Sequence, residues 1–143
     1  TQKKLLRPPG HKTRPLLCFG KTQKEKDAGI SDERLRIQLK CDLFQFPLDA
    51  LNQLMVAYEP VWAIGVSGTP APADYVKERH AVIRQCLKDL FGKEGASIPI
   101  LFGGSVNPEN APEYLALPNV DGLFVGRSAW DADSYFQMVS ALF

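Results

Sequence analysis

Short apolar runs, glycine-bearing loops and amphipathic segments follow one another four times along this chain. The first unit sets Pro15-Leu16-Leu17-Cys18-Phe19 before a loop from Gly20 to Ile30 and a helix opened by Ser31. A serine there suits an orphan helical amide, and Asp32 and Glu33 suit the positive helix end. The second unit sets Leu54-Met55-Val56-Ala57-Tyr58 before a loop from Glu59 to Ala71 and a helix predicted over 72–91. Tyr75, Val76, Val82, Ile83, Cys86, Leu87 and Leu90 recur there at helical spacing and share one face. The third runs from Ile98-Pro99-Ile100-Leu101-Phe102 through Gly103-Gly104-Ser105 to a short helix through Tyr114 and Leu115. The fourth runs from Gly122-Leu123-Phe124-Val125 through Gly126-Arg127-Ser128 to a helix from about Ala132 to the end.

Strands apolar on both faces and joined through helices call for an α/β protein with a parallel sheet covered by helices. Such units build either an open doubly wound sheet or part of a (β/α)8 barrel. A complete barrel takes about 250 residues, so four units amount to half of one. Before the first strand, Leu5-Leu6-Arg7 begins like a helix and then meets Pro8, Pro9 and Gly10; residues 1–13 are read as the remnant of a preceding helix and loop. The net charge of +1 supplies no broad field for nucleic acid or anionic lipid, so a bound anion must be held by local geometry. Cys18, Cys41 and Cys86 cannot all pair and stand in apolar surroundings, which predicts buried thiols in a reducing compartment, with the cytoplasm as the default. No run approaches the length needed to span a bilayer. The wide spacing of the three cysteines also argues against a zinc site.

Chemistry concentrates at the strand ends. Glu59 follows an apolar strand directly, where burial raises a carboxyl pKa and a glutamate can serve as general base; a surface glutamate in a salt bridge is the plain alternative. The loop after it has Pro60 at one end, Gly65 and Gly68 within and Pro70 at the other, a stiff frame with a permissive tip. Glycines such as Gly104 and Gly126 let a backbone approach an anion, although either motif alone reads better as a tight turn between strand and helix. His80 is expected on a helix surface, and Phe44, Phe46, Tyr135, Phe136 and Phe143 in packing.

The run Ala57-Tyr58-Glu59-Pro60-Val61-Trp62-Ala63-Ile64-Gly65, then Gly103-Gly104-Ser105-Val106, then Asp121-Gly122-Leu123-Phe124-Val125-Gly126, resembles the C-terminal half of a triosephosphate isomerase. The resemblance extends from about Arg14 to Phe143. It implies the (β/α)8 barrel, with these units as strands five to eight, and an aldose-ketose isomerase of small phosphorylated sugars working through an enediolate, without metal or cofactor. Such enzymes belong to glycolysis and gluconeogenesis in the cytoplasm and are homodimers. Glu59 matches the catalytic base. Pro60, Val61, Trp62, Ala63, Ile64, Val66, Ser67, Gly68 and Thr69 match a closing lid, with Trp62 anchoring it to the barrel rim. Gly65, Ser105 and Gly126 match positions whose backbone amides hold the substrate phosphate. Arg84 and Asp121 match a structural ion pair, and Cys18 matches a cysteine packed under the base.

Phe102 departs from the pattern, standing where a tyrosine commonly offers a hydroxyl to the closed lid, and Lys21 stands where glutamate is usual. Arg127 replaces a glycine at the phosphate site, where it either adds a cation to the phosphate or fills space behind it. The lid's second half, Val66-Ser67-Gly68-Thr69-Pro70, also departs from the family's common run, and together with the Val-Gly-Arg-Ser-Ala-Trp ending it looks more like the branch acting on tetrulose phosphates. The family's asparagine, lysine and histidine of the first half have no counterpart; His11 precedes a strand and is expected toward the opposite face. Two expectations follow. Either this is part of an isomerase whose N-terminal half lies outside this sequence or on another chain, or it is a catalytically silent half-barrel that binds phosphate ligands or assembles through its open edges.

Overall fold

The computed structural model describes residues 14–64 and 68–142. Strands β1 (Leu16–Phe19), β2 (Met55–Tyr58), β3 (Ile100–Gly103) and β4 (Gly122–Phe124) form one parallel sheet in chain order. Helices α1 (Gln23–Asp27), α2 (Ser31–Asp42), α3 (Ala73–Ala96), α4 (Ala111–Leu115) and α5 (Ala132–Ser140) join or follow them. The anticipated order of apolar run, loop and helix is therefore present. The predicted remnant at 1–13 and the packing role of Phe143 lie outside the described residues.

Local chemistry explains the boundaries. Helix α1, expected as loop, is nucleated by a reciprocal cap: the Glu25 amide donates to the Thr22 hydroxyl at 3.4 Å, and Glu25 Oε2 accepts from the Thr22 amide at 2.8 Å. Helix α2 starts at Ser31, but Ser31 is its first helical residue, buried and without a side-chain capping bond. Gly92, with φ at 63°, interrupts α3 one residue after its predicted end, and helical turns resume to Ala96. Glycine tolerates that left-handed backbone where a side chain would be strained.

Side chains alternate across each strand, so the register sorts them onto two faces. Leu17, Phe19, Val56, Tyr58, Ile100 and Phe102 share one face and join Leu35, Leu39, Val76, Ile83 and Leu87 of the helices in the core. Leu16, Cys18, Met55, Leu101, Gly122 and Phe124 lie on the other, where burial is incomplete. Among the described residues, helices thus cover one face.

Several expected environments are corrected by this packing. Cys86 is buried, but Cys18 is exposed because its position in β1 faces the uncovered side, and Cys41 is exposed near the end of α2. Phe46 is buried, whereas Phe44, Tyr135 and Phe136 are 60%, 51% and 70% exposed. Tyr135 and Phe136 belong to the outward side of α5, whose buried residue is Met138. His80 is fully buried rather than superficial, since it continues the inward row Val76, His80, Ile83 and Leu87 at spacings of three and four.

The His80 Nδ1 lies 2.9 Å from the Asn119 carbonyl oxygen, which can only accept, so Nδ1 carries the ring proton. The Tyr58 and Phe102 rings stand edge-on to it, and Nε2 has no partner among the described residues. Burial lowers its pKa to about 4; the Asn119 carbonyl and Asp121 oppose that shift and Arg84 adds to it. The unfolded chain therefore takes the proton first as pH falls. Stability is fully present above the ordinary value of 6.5 and declines toward 4, by about 3 kcal/mol across that window. Urea midpoints at pH 7, 5.5 and 4 check this: the wild type loses that stability and His80→Gln does not, whereas equal acid sensitivity would dismiss His80 as the cause.

Arg84 fastens the N-terminal ends of β3 and β4. Its guanidinium pairs with Asp121 and donates to the carbonyls of Ile98 at 2.6 Å and Ala96 at 3.0 Å. Asp121 also accepts the Ile100 amide at 2.8 Å. One ion pair thus joins α3, the start of β3 and the approach to β4.

Candidate active site

Glu59 leaves the sheet at the C-terminal end of β2, and the parallel pairing continues past the strand ends to fix its backbone. The Glu59 amide donates to the Phe19 carbonyl at 2.8 Å, and the Val61 amide donates to the Lys21 carbonyl at 3.0 Å. Two glycines shape its seat. A Cβ at Gly20 would stand 1.7 Å from the Glu59 carbonyl oxygen, and one at Gly103 would stand 2.7 Å from Glu59 Cγ. Only glycine permits either approach. In the sequence, Gly20 only opens a loop and Gly103 only a strand-to-helix turn; their place directly beyond or at a strand's C-terminal end is the signal for this seat.

The Glu59 side chain is half-buried, and loss of solvent raises its pKa; a hydrogen bond from the Cys18 thiol partly offsets the rise. Partial loss of solvent around the sulfur and the neighbouring Glu59 carboxylate in turn push the Cys18 thiol up. A carboxylate so placed accepts a proton more readily than a solvated one.

Glu59 opens onto a cleft of about 630 Å³ that also contains Gly104, Ser105, Gly126, Arg127 and Trp130. The sequence-predicted residues Glu59, Ser105, Gly126 and Arg127 are thus brought to one cavity. Gly65, Val66 and Ser67 fall outside the described residues. At Gly126 a Cβ would meet nothing within 4 Å, so this backbone borders open space. Arg127 is exposed and begins a 3₁₀ turn, Arg127–Ala129. Trp130 lines the cleft and is 82% exposed.

Hydrogen bonds knit the loops around this cleft. Ser128 donates to the Val106 carbonyl at 2.6 Å, joining the loops after β4 and β3. Asn110 holds the latter from within, donating through Nδ2 to the Ser105 carbonyl at 2.9 Å and accepting the Asn107 amide at 2.8 Å. The predicted lid residues divide into two arms. Pro60 is buried and Val61–Ala63 form a 3₁₀ turn, with Trp62 half-buried and Ile64 exposed; Gly68 is half-buried and Thr69 exposed. The Ser105 hydroxyl lies 2.9 Å from the Ala63 carbonyl and 3.2 Å from that of Gly68, within reach of both arms.

Phe102, lacking a hydroxyl, is buried with its ring 4.6 Å from that of Tyr114. The Tyr114 hydroxyl instead donates to the Ala71 carbonyl at 2.7 Å, tying down the far end of the loop. No sequence spacing announces that contact, because 43 residues separate its partners. Among the described residues, no cluster of three or more His, Cys, Asp or Glu side chains could hold a metal ion, and no helix is long and apolar enough to cross a membrane.

Comparison with known proteins agrees with this fold. The family model described as triosephosphate isomerase matches residues 1–142. An L-erythrulose-1-phosphate isomerase of Rhizobium etli is 44% identical over 131 residues, covering 91% of this chain and 48% of that protein. A triosephosphate isomerase of Lawsonia intracellularis is 41% identical over 128 residues, covering 90% of this chain and 50% of its own length. The crystal structure of triosephosphate isomerase from Bartonella henselae superposes with a TM-score of 0.77 at 32% identity, over 88% of this chain and 49% of that one. The chain therefore spans about half the length of the curated relatives it matches. By sequence and by fold, it belongs to the triosephosphate isomerase family.

Proposed function

We propose that this chain supplies the proton-transfer base and phosphate cradle of an isomerase for small phosphorylated sugars, and that it forms strands five to eight of a (β/α)8 barrel. The observation that carries the reading is the half-buried, pKa-raised Glu59 in one cleft with Ser105, Gly126 and Arg127. Glu59 takes a proton from the carbon beside the substrate carbonyl and returns it to the neighbouring carbon. The enediolate between these steps needs protection from water, which the arms from Pro60 to Thr69 provide. Backbone amides near Gly65, Ser105 and Gly126 hold the phosphate, with Arg127 as an added cation.

The uncovered sheet face, with Cys18 exposed and Phe124 37% exposed, favours completion by a further set of strands over a half-barrel acting alone. Those strands would also bring the groups that polarise the carbonyl, which the described residues do not offer beside Glu59. The test is isomerisation by the intact protein of dihydroxyacetone phosphate and of L-erythrulose 1-phosphate, the substrate classes in the relatives' names. Turnover of either supports the reading; phosphate binding without turnover of any aldose or ketose phosphate would favour the silent alternative. The acid limb of the rate is expected above the ordinary glutamate value of 4.5, because the base must be ionised and burial opposes that.

Gly126→Val tests the cradle separately. A Cβ there would meet no protein atom within 4 Å and Gly126 lines the cleft, so phosphate ligands should weaken by about tenfold or more. Unchanged affinity in a titration with inorganic phosphate would remove Gly126 from the site.

A further inference from the structure

We propose that Lys26 is a positioning residue for Glu59, acting through a clamp on Trp62. The inference rests on the reading of Glu59 as the base. The Lys26 ammonium lies 3.7 Å from the centre of the Trp62 ring, and the Tyr75 ring meets the same indole edge-on at 5.5 Å. The Trp62 Nε1 is buried and has no acceptor among the described residues, so the indole is oriented by its faces and edges rather than by a hydrogen bond. A cation over an indole face is the strongest form of that attraction among the aromatic side chains.

Both sides of the clamp are themselves held. Tyr75 has Lys21 at 4.8 Å and Arg79 at 5.2 Å from its ring, and Arg79 is anchored by Asp32 at 2.9 Å. Lys21 is only 1% exposed, and its carbonyl receives the Val61 amide. Lys26 rides on α1, which the Thr22–Glu25 cap closes at one end and the Glu25–Arg34 pair ties to α2 at 2.6 Å. The link from indole to base is short and stiff. Pro60 is buried, and the Ala63 amide donates to its carbonyl at 2.8 Å, closing the turn that contains Trp62. A shift of the indole therefore moves the segment that aims the Glu59 carboxylate, and small misplacements of a catalytic group cost rate steeply. The loop after β1 thus grips the stem of the loop after β2.

The test uses the intact protein with ¹⁵N-labelled tryptophan, the Trp62 indole resonance being identified by its loss in Trp62→Phe. In Lys26→Met, hydrogen exchange at that indole should rise about tenfold as local opening becomes easier. The same variant should lose about ten- to a hundredfold in kcat, with inhibition by inorganic phosphate unchanged within about twofold. Lys26→Arg, which keeps a cation over the ring, should restore both readouts. Unaltered indole exchange in the methionine variant, unaltered kcat, or an arginine variant no better than methionine would each overturn the proposal. Glu59→Gln run alongside separates the two readings. Full activity there removes the base and the positioning role together, whereas inactivity there beside a fully active Lys26→Met removes only the positioning role.

Discussion

Glu59→Gln in the intact protein should lower kcat by about a thousandfold while inorganic phosphate and sugar phosphates bind within about tenfold of wild type. Glutamine keeps the shape of the seat between Gly20 and Gly103 but has no basic oxygen able to remove a proton from carbon. The backbone bond to Phe19 is untouched by the change, so the fold should survive. Steady-state kinetics with phosphate titration by calorimetry checks both halves. Equal loss of turnover and binding would make Glu59 a structural carboxylate, and full turnover would place the base elsewhere.

Arg84→Met should cost about 3 kcal/mol of stability and leave phosphate affinity unaltered. The substitution removes one cation from Asp121 and the Nη1 donor group from the carbonyls of Ala96 and Ile98, all at the opposite end of the sheet from the cleft. Methionine replaces much of the apolar stem, so the loss reports the polar network rather than a cavity. Asp121 is 42% exposed at its side chain and can turn to water, which holds the cost at the lower end for a broken buried pair. Asp121→Asn should cost less, since its remaining oxygen still accepts the Ile100 amide. Chemical denaturation of the three proteins would show it; a methionine variant within 1 kcal/mol of wild type would mean the pair is incidental.

The strands and the main helices were legible because they are local: each apolar run ends at a glycine or a carboxylate that stops it, and each helix carries its inward residues at three- and four-residue spacing. Glu59 was legible for the same reason, being the first charged residue after such a run. Helix α1 is not legible by periodicity, because its five residues carry no apolar stripe; Thr22 and Glu25 at capping-box spacing are its one local mark. A histidine reads as polar, so His80 reads as exposed from its type alone, although the row Val76, Ile83 and Leu87 on either side of it points inward. The exposure of Cys18 depends on which face of β1 the helices cover, and no residue of β1 encodes that.

At the site, the glycine motifs announced where backbone could approach a ligand, but not what joins the loops. The reach of Ser105 to Ala63 and Gly68, the bond from Tyr114 to Ala71 and the seat of Lys26 on Trp62 all link residues distant in sequence. Such contacts arise only once the parallel pairing has brought successive loops to the same end of the sheet. The substitution of Lys21 for the family's usual glutamate gains meaning there too, beneath a tyrosine ring beside the indole of the lid stem.

The most direct measurement of the central claim is deuterium uptake from D₂O into the carbon beside the carbonyl of dihydroxyacetone phosphate or L-erythrulose 1-phosphate, followed by proton NMR. The intact wild-type protein should label one of these substrates at that carbon, and Glu59→Gln should bind the same substrate without labelling it. Label entering at the same rate in both proteins, or failing to enter either substrate with active wild type, would contradict proton transfer by Glu59.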